Sequence, residues 1–148
     1  TVTVAEDRKL IDVLRNDCHL KSVKDGCSEG ACGTCTIVVD GKAVKSCVLT
    51  TRRAAGKNIL TLEGLSSREQ EAFVYAFGAK GAVQCGFCTP GLIMSAVEIV
   101  GTGKKYNREE LKKLISGHLC RCTGYENILN AMERIVEEVY RTSHPEEA

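Results

Sequence analysis

The sequence predicts an α+β protein, in which short strands around one helix, up to residue 63, are followed by a four-helix segment. A hairpin marks the first part, because Thr36 to Val39 and Lys42 to Val48 flank Asp40-Gly41, the dipeptide most typical of a tight β-turn. Four helix start signals follow residue 64. We therefore expect two domains, residues 1–63 and residues 64–148.

Three further patterns complete the first part. Thr1 to Val4 is typical of a strand, and Leu10, Ile11 and Leu14 share one face of a short helix. Ile59 to Leu62 is expected to close the sheet.

The helix starts of the second part are easy to locate. They are the capping boxes Ser66-x-x-Glu69, Asn107-x-x-Glu110 and Thr123-x-x-Glu126, and the pair Thr89-Pro90. Cys88 and Cys122 each stand directly before such a start. Two helical hairpins related by an approximate twofold would explain this repetition, so we expect pseudo-twofold symmetry in the four-helix domain.

Composition narrows the classes of partner. Twenty Lys plus Arg residues against nineteen Asp plus Glu give a net charge of +1, which offers no electrostatic basis for binding nucleic acid. No apolar run approaches the roughly 20 residues that span a bilayer, and the first residues lack a signal-peptide pattern. We expect a soluble, cytoplasmic protein with no membrane partner.

The first cysteine group has the spacing C-x4-C-x2-C-x11-C and consists of Cys27, Cys32, Cys35 and Cys47. This is the plant-type ferredoxin pattern of three close ligands and a distant fourth. Glycines interleave with the ligands, as a loop that wraps a cluster closely requires. Zinc is the alternative, although four-thiolate zinc sites usually show two C-x2-C pairs.

The second group consists of Cys85, Cys88, Cys120 and Cys122, spaced C-x2-C-x31-C-x-C. Residues two apart on a helix point to opposite sides, so both late cysteines can face one metal centre only if the preceding helix stops before Cys120. Spacing alone leaves zinc open at this site.

The motifs around both groups resemble the iron-sulfur subunit of the xanthine dehydrogenase, aldehyde oxidase and carbon monoxide dehydrogenase family of molybdenum hydroxylases. The segments that carry the resemblance are Gly26-Cys27-Ser28-Glu29-Gly30-Ala31-Cys32-Gly33-Thr34-Cys35, Gln84-Cys85-Gly86-Phe87-Cys88-Thr89-Pro90-Gly91 and Cys120-Arg121-Cys122-Thr123-Gly124-Tyr125. Such subunits begin with an extra strand and turn before the segment that matches Thr1 to Val4.

The resemblance implies a β-grasp, plant-type ferredoxin-like domain followed by a four-helix domain, with one [2Fe-2S] cluster in each. It implies an electron-transfer subunit that works beside a large molybdenum-pterin subunit and an FAD subunit, while the substrate chemistry lies outside this chain. Gln84 and Cys122 match the positions that approach the pterin cofactor. The first expectation for the substrate of the complex is a purine such as xanthine.

Two other functions remain open at this point. One is a structural zinc module with two four-thiolate sites, and the other is a free-standing ferredoxin shuttle, for which the charge of +1 gives no steering bias. The ninth cysteine, Cys18, is expected to be a small, buried or half-buried apolar residue rather than a ligand. His19, His118 and His144 are assigned no ligand role, and a hydrogen bond from His118 could tune the second cluster.

Overall fold

The computed structural model describes residues 1–143, in which a small sheet with short helices precedes a bundle of longer helices. The first part contains α1 (Leu10–Asp12), a π-helical turn (Val13–Asp17), β1 (Thr36–Val39), β2 (Lys42–Lys45), α2 (Thr51–Ala54), β3 (Ile59–Leu60) and a 3-10 turn (Leu62–Gly64). The strand order is β2-β1-β3, with both pairs antiparallel. The central strand β1 is buried along its whole length.

The predicted hairpin is confirmed. Val39 pairs with Lys42, so Asp40 and Gly41 form a two-residue loop between β1 and β2. Both loop residues have positive φ, 48° and 82°, as a type I′ turn requires.

The prediction of a first strand at Thr1 to Val4 is wrong, and the helix at Thr51–Ala54 was missed. These two differences have one cause. The first N–H groups of a helix have no partner inside it, and here Arg52 N donates to Glu6 O at 2.9 Å and Thr51 N donates to Arg8 O at 2.9 Å. The chain after Val4 therefore satisfies a helix end instead of entering the sheet.

Four helices form the second part: α3 (Ser67–Ala79), α4 (Thr89–Gly101), α5 (Arg108–Leu114) and α6 (Glu126–Ser143). The capping boxes at Ser66 and Asn107 are both complete. The third predicted box does not form as expected, because α6 begins at Glu126, so Tyr125 rather than Thr123 precedes its first residue, and the hydroxyl of Thr123 accepts from Tyr125 N at 3.3 Å. No helix in the described part of the chain is long and apolar enough to cross a membrane.

Each part has its own apolar core, and α4 joins the two. The helical core contains the fully buried Phe77, Leu92, Leu111, Ile128 and Met132, and the smaller core contains Ile11, Val23, Ile37, Cys35 and Cys47. Helix α4 packs on β1 and β2, and Glu98 on this helix accepts a hydrogen bond from Ala43 N at 3.1 Å. The bundle is thus fixed directly against the sheet that carries the first cysteine group.

Candidate metal centres

The first cysteine group lies in the loop before β1 and in the turn after β2. Cys32, Cys35 and Cys47 are buried, and Cys27 is half-buried. The thiols interact in two pairs, Cys27 with Cys32 and Cys35 with Cys47. The structure therefore brings together the four residues that the sequence grouped.

Backbone N–H groups of this loop point at sulfur. Ala31 N and Cys32 N lie 3.2 and 3.4 Å from the Sγ atom of Cys27, and these bonds, with that from Cys32 first, lower the pKa of this thiol to about 7. Burial has the opposite effect at Cys47 and raises the pKa of its thiol to about 12. Backbone N–H donors therefore favour the thiolate form of the half-buried Cys27. Cys47 lies in the apolar core, which favours the protonated thiol.

The second group lies between helices. Cys85 and Cys88 precede α4, while Cys120 and Cys122 lie in the irregular segment between α5 and α6. The prediction that the helix stops before Cys120 is therefore confirmed. Cys85 interacts with Cys122, and Cys88 interacts with Cys120, so this group also consists of two thiol pairs.

The four thiols of the second group differ in environment. Burial raises the pKa of Cys88 to about 12, whereas the N–H of Phe87 lowers the pKa of Cys85. Interaction with Cys85 raises the pKa of Cys122. At Cys120, burial acts to raise the pKa, but hydrogen bonds led by that of the Thr123 hydroxyl, 3.1 Å from Sγ, lower it overall.

The donor sets fit a two-iron cluster. A [2Fe-2S] cluster held by four cysteines has two thiolates on each iron, and each group supplies two pairs of thiols. Within residues 1–143, no three His, Cys, Asp or Glu side chains converge on a position for one metal ion. When bound, such clusters accept and release single electrons.

A backbone seam connects the two groups. Leu119, the residue before Cys120, donates its N–H to the carbonyl oxygen of Cys32 at 2.9 Å. A Cβ atom on Gly91 would overlap the carbonyl oxygen of Gly33, so the absence of a side chain at Gly91 lets the first turn of α4 contact the loop of the first group. A single hydrogen bond therefore connects Cys32 of the first group to Leu119, the residue next to Cys120 of the second group.

His118 fills the space behind this seam. Its Nε2 atom lies 2.6 Å from the Ser95 hydroxyl, and its Nδ1 atom faces the backbone of Gly33. Burial, followed by the charge of Lys45, lowers the pKa of His118 to about 4. These contacts place the ring between α4 and the loop of the first cysteine group.

Tyr125 holds the other side of the same segment. Its hydroxyl accepts a hydrogen bond from Cys120 N at 2.8 Å and donates to His118 O at 3.1 Å. A positive φ of 71° turns the Tyr125 backbone so that this contact can form ahead of α6. The aromatic ring thus has a positioning role that spacing alone did not reveal.

The remaining candidates are spread over the surface. Gln84, Cys85 and Cys122 are exposed at one edge of the second group. Cys18 is half-buried at the end of the π-helical turn and belongs to neither group, as expected. His144 lies outside the described residues.

Sequence analysis missed Ser95 and the full role of Gly33. The only signal for Ser95 was a hydroxyl within the apolar run Leu92-Ile93-Met94-Ser95-Ala96 of α4, where a buried polar group needs a partner. Gly33 was assigned to the cluster loop, but its contact with the distant Gly117 and His118 could not be seen in the sequence.

Comparison with known proteins agrees with this geometry. Residues 1–61 match the family described as the 2Fe-2S iron-sulfur cluster binding domain, and residues 61–133 match the [2Fe-2S] binding domain. The chain is 44% identical to the nicotine 6-hydroxylase small subunit of Paenarthrobacter nicotinovorans, over 89% of this chain and 80% of that protein. It is 46% identical to the xanthine dehydrogenase iron-sulfur-binding subunit of Escherichia coli O157:H7, over 83% and 79% of the two chains.

A solved structure extends the likeness to the whole fold. Quinoline 2-oxidoreductase from Pseudomonas putida 86 superposes with a TM-score of 0.85 at 40% identity, over 93% of this chain and 87% of the matched chain.

Two [2Fe-2S]-binding domains in one chain define an iron-sulfur electron carrier. The chain belongs to the iron-sulfur subunit family of the molybdenum hydroxylases, which includes the xanthine dehydrogenases. It is an electron-transfer subunit of an oxidoreductase and carries two [2Fe-2S] clusters.

We expect Gly33→Ala to disrupt the seam far more than the matched change Gly41→Ala. Both glycines have positive φ, 77° and 82°, so both substitutions cost about 1–2 kcal/mol of left-handed strain. Only at Gly33 would the new Cβ also meet Gly117 O at 2.5 Å and His118 Nδ1 at 2.7 Å, whereas nothing lies within 4 Å at Gly41. Overpacking should lower the free energy of unfolding by about a further 2 kcal/mol.

Chemical unfolding and amide hydrogen exchange at Leu119 measure this difference. Equal stability losses in the two variants, with unchanged protection of the Leu119 amide, would show that the seam is not the constraint described above.

Proposed function

We propose that this chain takes electrons from a molybdenum-pterin centre on a large partner subunit and passes them through the second cysteine group and then the first. Electrons then leave to FAD on a further subunit or to another acceptor. The observation that carries this proposal is the pair of four-thiol groups joined by the hydrogen bond between Leu119 and Cys32.

The proposed ligand sets follow the thiol pairs. Cys27, Cys32, Cys35 and Cys47 would hold the first [2Fe-2S] cluster, and Cys85, Cys88, Cys120 and Cys122 would hold the second. The arrangement of the thiols in pairs favours this assignment over zinc, which needs four sulfurs converging on one ion at about 2.3 Å. We further propose a domain boundary near residue 63, so that residues 1–63 hold one cluster and residues 64–148 hold the other.

Pseudo-twofold symmetry of the helical domain is part of the same proposal. Cys88 lies at the start of α4, and Cys122 lies four residues before α6. The positive ends of these two helices would then favour the negative charge of the second cluster.

The proposed order of electron transfer, second group before first, is based on the solvent exposure of the two cysteine groups. Gln84 and Cys122 are exposed beside the second group, whereas three of the four thiols of the first group are buried. Exposed apolar side chains occur next to the second-group cysteines in the sequence: Val83, Phe87 and Leu119, which are 42%, 43% and 58% accessible. An edge of this kind suits the large subunit and its pterin, which we propose to contact Gln84 and the sulfur of Cys122.

We propose that the complex oxidises a nitrogen heterocycle, the class that contains the purine expected from the sequence. The related proteins described above are named for nicotine, xanthine and quinoline, all of which are nitrogen heterocycles.

Turnover of these compounds by the purified complex should exceed turnover of an aromatic aldehyde, and a preference for the aldehyde would refute this substrate class.

Metal analysis and spectroscopy test the ligand sets. We expect four irons and four acid-labile sulfides per chain, and two distinct electron paramagnetic resonance signals after reduction. Cys47→Ser should remove the first signal and Cys122→Ser the second, because each leaves one iron with a single cysteine thiolate in place of two. The matched control is Cys18→Ser, which should keep both signals since Cys18 is in neither group.

Two outcomes would overturn this assignment. Zinc without labile sulfide in the wild-type chain would support a structural zinc module. Survival of both signals in Cys47→Ser and Cys122→Ser would show that the clusters have other ligands.

We expect Gln84→Ala to slow electron transfer from the large subunit without loss of iron. The exposed amide is the side chain proposed to approach the pterin, whereas iron is held by the cysteines. The measurement is the rate of substrate-driven reduction of the second cluster, together with iron content, and the control is Asn16→Ala, which removes an exposed amide from the other domain. Loss of iron, or equal rates in the two variants, would contradict the placement of Gln84.

A further inference from the structure

Lys45, the last residue of β2, points at the loop of the first cysteine group. Its half-buried side chain donates from Nζ to the carbonyl oxygen of Gly30 at 2.6 Å. Gly30 also bonds through its own N–H to the thiol of Cys47. The ammonium group is therefore tied to the residue that directs a hydrogen bond at one of the proposed iron ligands.

The charge of Lys45 is not neutralised nearby. Within residues 1–143, no carboxylate lies within ion-pair distance of its Nζ atom, whereas its strand neighbour Lys42 lies 3.6 Å from Glu98. A charge that is partly shielded from water and has no counter-ion acts on its surroundings more strongly than an exposed or paired one.

The same ammonium group faces the seam. Its Nζ atom lies 3.4 Å from the position that a Cβ atom would take on Gly117, and its charge reaches the ring of His118. Lys45 thus lies on the side of the first group that faces the helical domain, from which an electron would arrive.

We propose that Lys45 is a positioning residue for electron flow that raises the reduction potential of the first cluster relative to the second. When one electron passes between the clusters, the second is oxidised, and the first is reduced and gains one negative charge. A fixed positive charge beside the first cluster stabilises this reduced state. The inference rests on the proposed ligand sets and adds a driving force for electron transfer from the second cluster to the first.

A redox titration of the intact complex, followed by the paramagnetic resonance signals of both clusters, tests this role. We expect Lys45→Met to disfavour reduction of the first cluster about tenfold, equivalent to about 59 mV for a one-electron couple, and to change the second cluster less. Lys45→Arg keeps the positive charge and should therefore retain the wild-type reduction potential of the first cluster.

Two further variants separate charge from structure. Lys45→Gln can still donate to Gly30 O without the charge, so we expect the same decrease in potential as in Lys45→Met. Lys9→Met is the matched control, because Lys9 also donates to a carbonyl of this loop, Ser28 O at 3.2 Å, but at an exposed site where solvent screens it. Its effect should be less than about twofold.

An unchanged reduction potential of the first cluster in Lys45→Gln would overturn the proposal. Equal shifts of both cluster potentials in the Lys45 variants, or a shift in Lys9→Met as large as that in Lys45→Met, would also overturn it. Failure of the ligand assignment gives a different result, because the wild-type complex would then lack the first signal or Cys47→Ser would retain it.

Discussion

The hydrogen bond from Leu119 N to Cys32 O is the contact on which the arrangement of the two centres depends. It joins a loop of the sheet domain to the segment between α5 and α6, and neither domain could fix that distance from its own core. The surrounding residues serve this contact. Gly33 and Gly91 let the backbones approach, and His118 fills the remaining space with its ring bonded to Ser95.

The two cysteine groups differ because their positions in the fold differ. The first borders the core of the sheet domain, where Cys35 and Cys47 are each 1% accessible. The second lies where loops between helices meet, so two of its thiols are exposed. A partner that contacts this surface can approach the second group closely, while the first is reached mainly through the protein.

Local signals in the sequence predicted most of the fold. The turn at Asp40-Gly41 and the capping boxes at Ser66 and Asn107 depend on neighbouring residues only, and all three form. Close spacing likewise keeps Cys27, Cys32 and Cys35 in one loop. The pairing of Cys85 with Cys122 and of Cys88 with Cys120 depends instead on how the helices pack. Helix α2 was missed because its N–H groups are satisfied by residues more than 40 positions earlier.

The seam also constrains the order in which the molecule can be assembled during synthesis. All four thiols of the first group lie within the first 47 residues, so that site can close while most of the chain is still being made. The contact from Leu119 to Cys32 spans 119 − 32 = 87 positions, and Cys120 and Cys122 follow it. We therefore expect the first cysteine site to form before the second. Docking of the helical domain on the sheet domain and completion of the second site then occur together, late in folding.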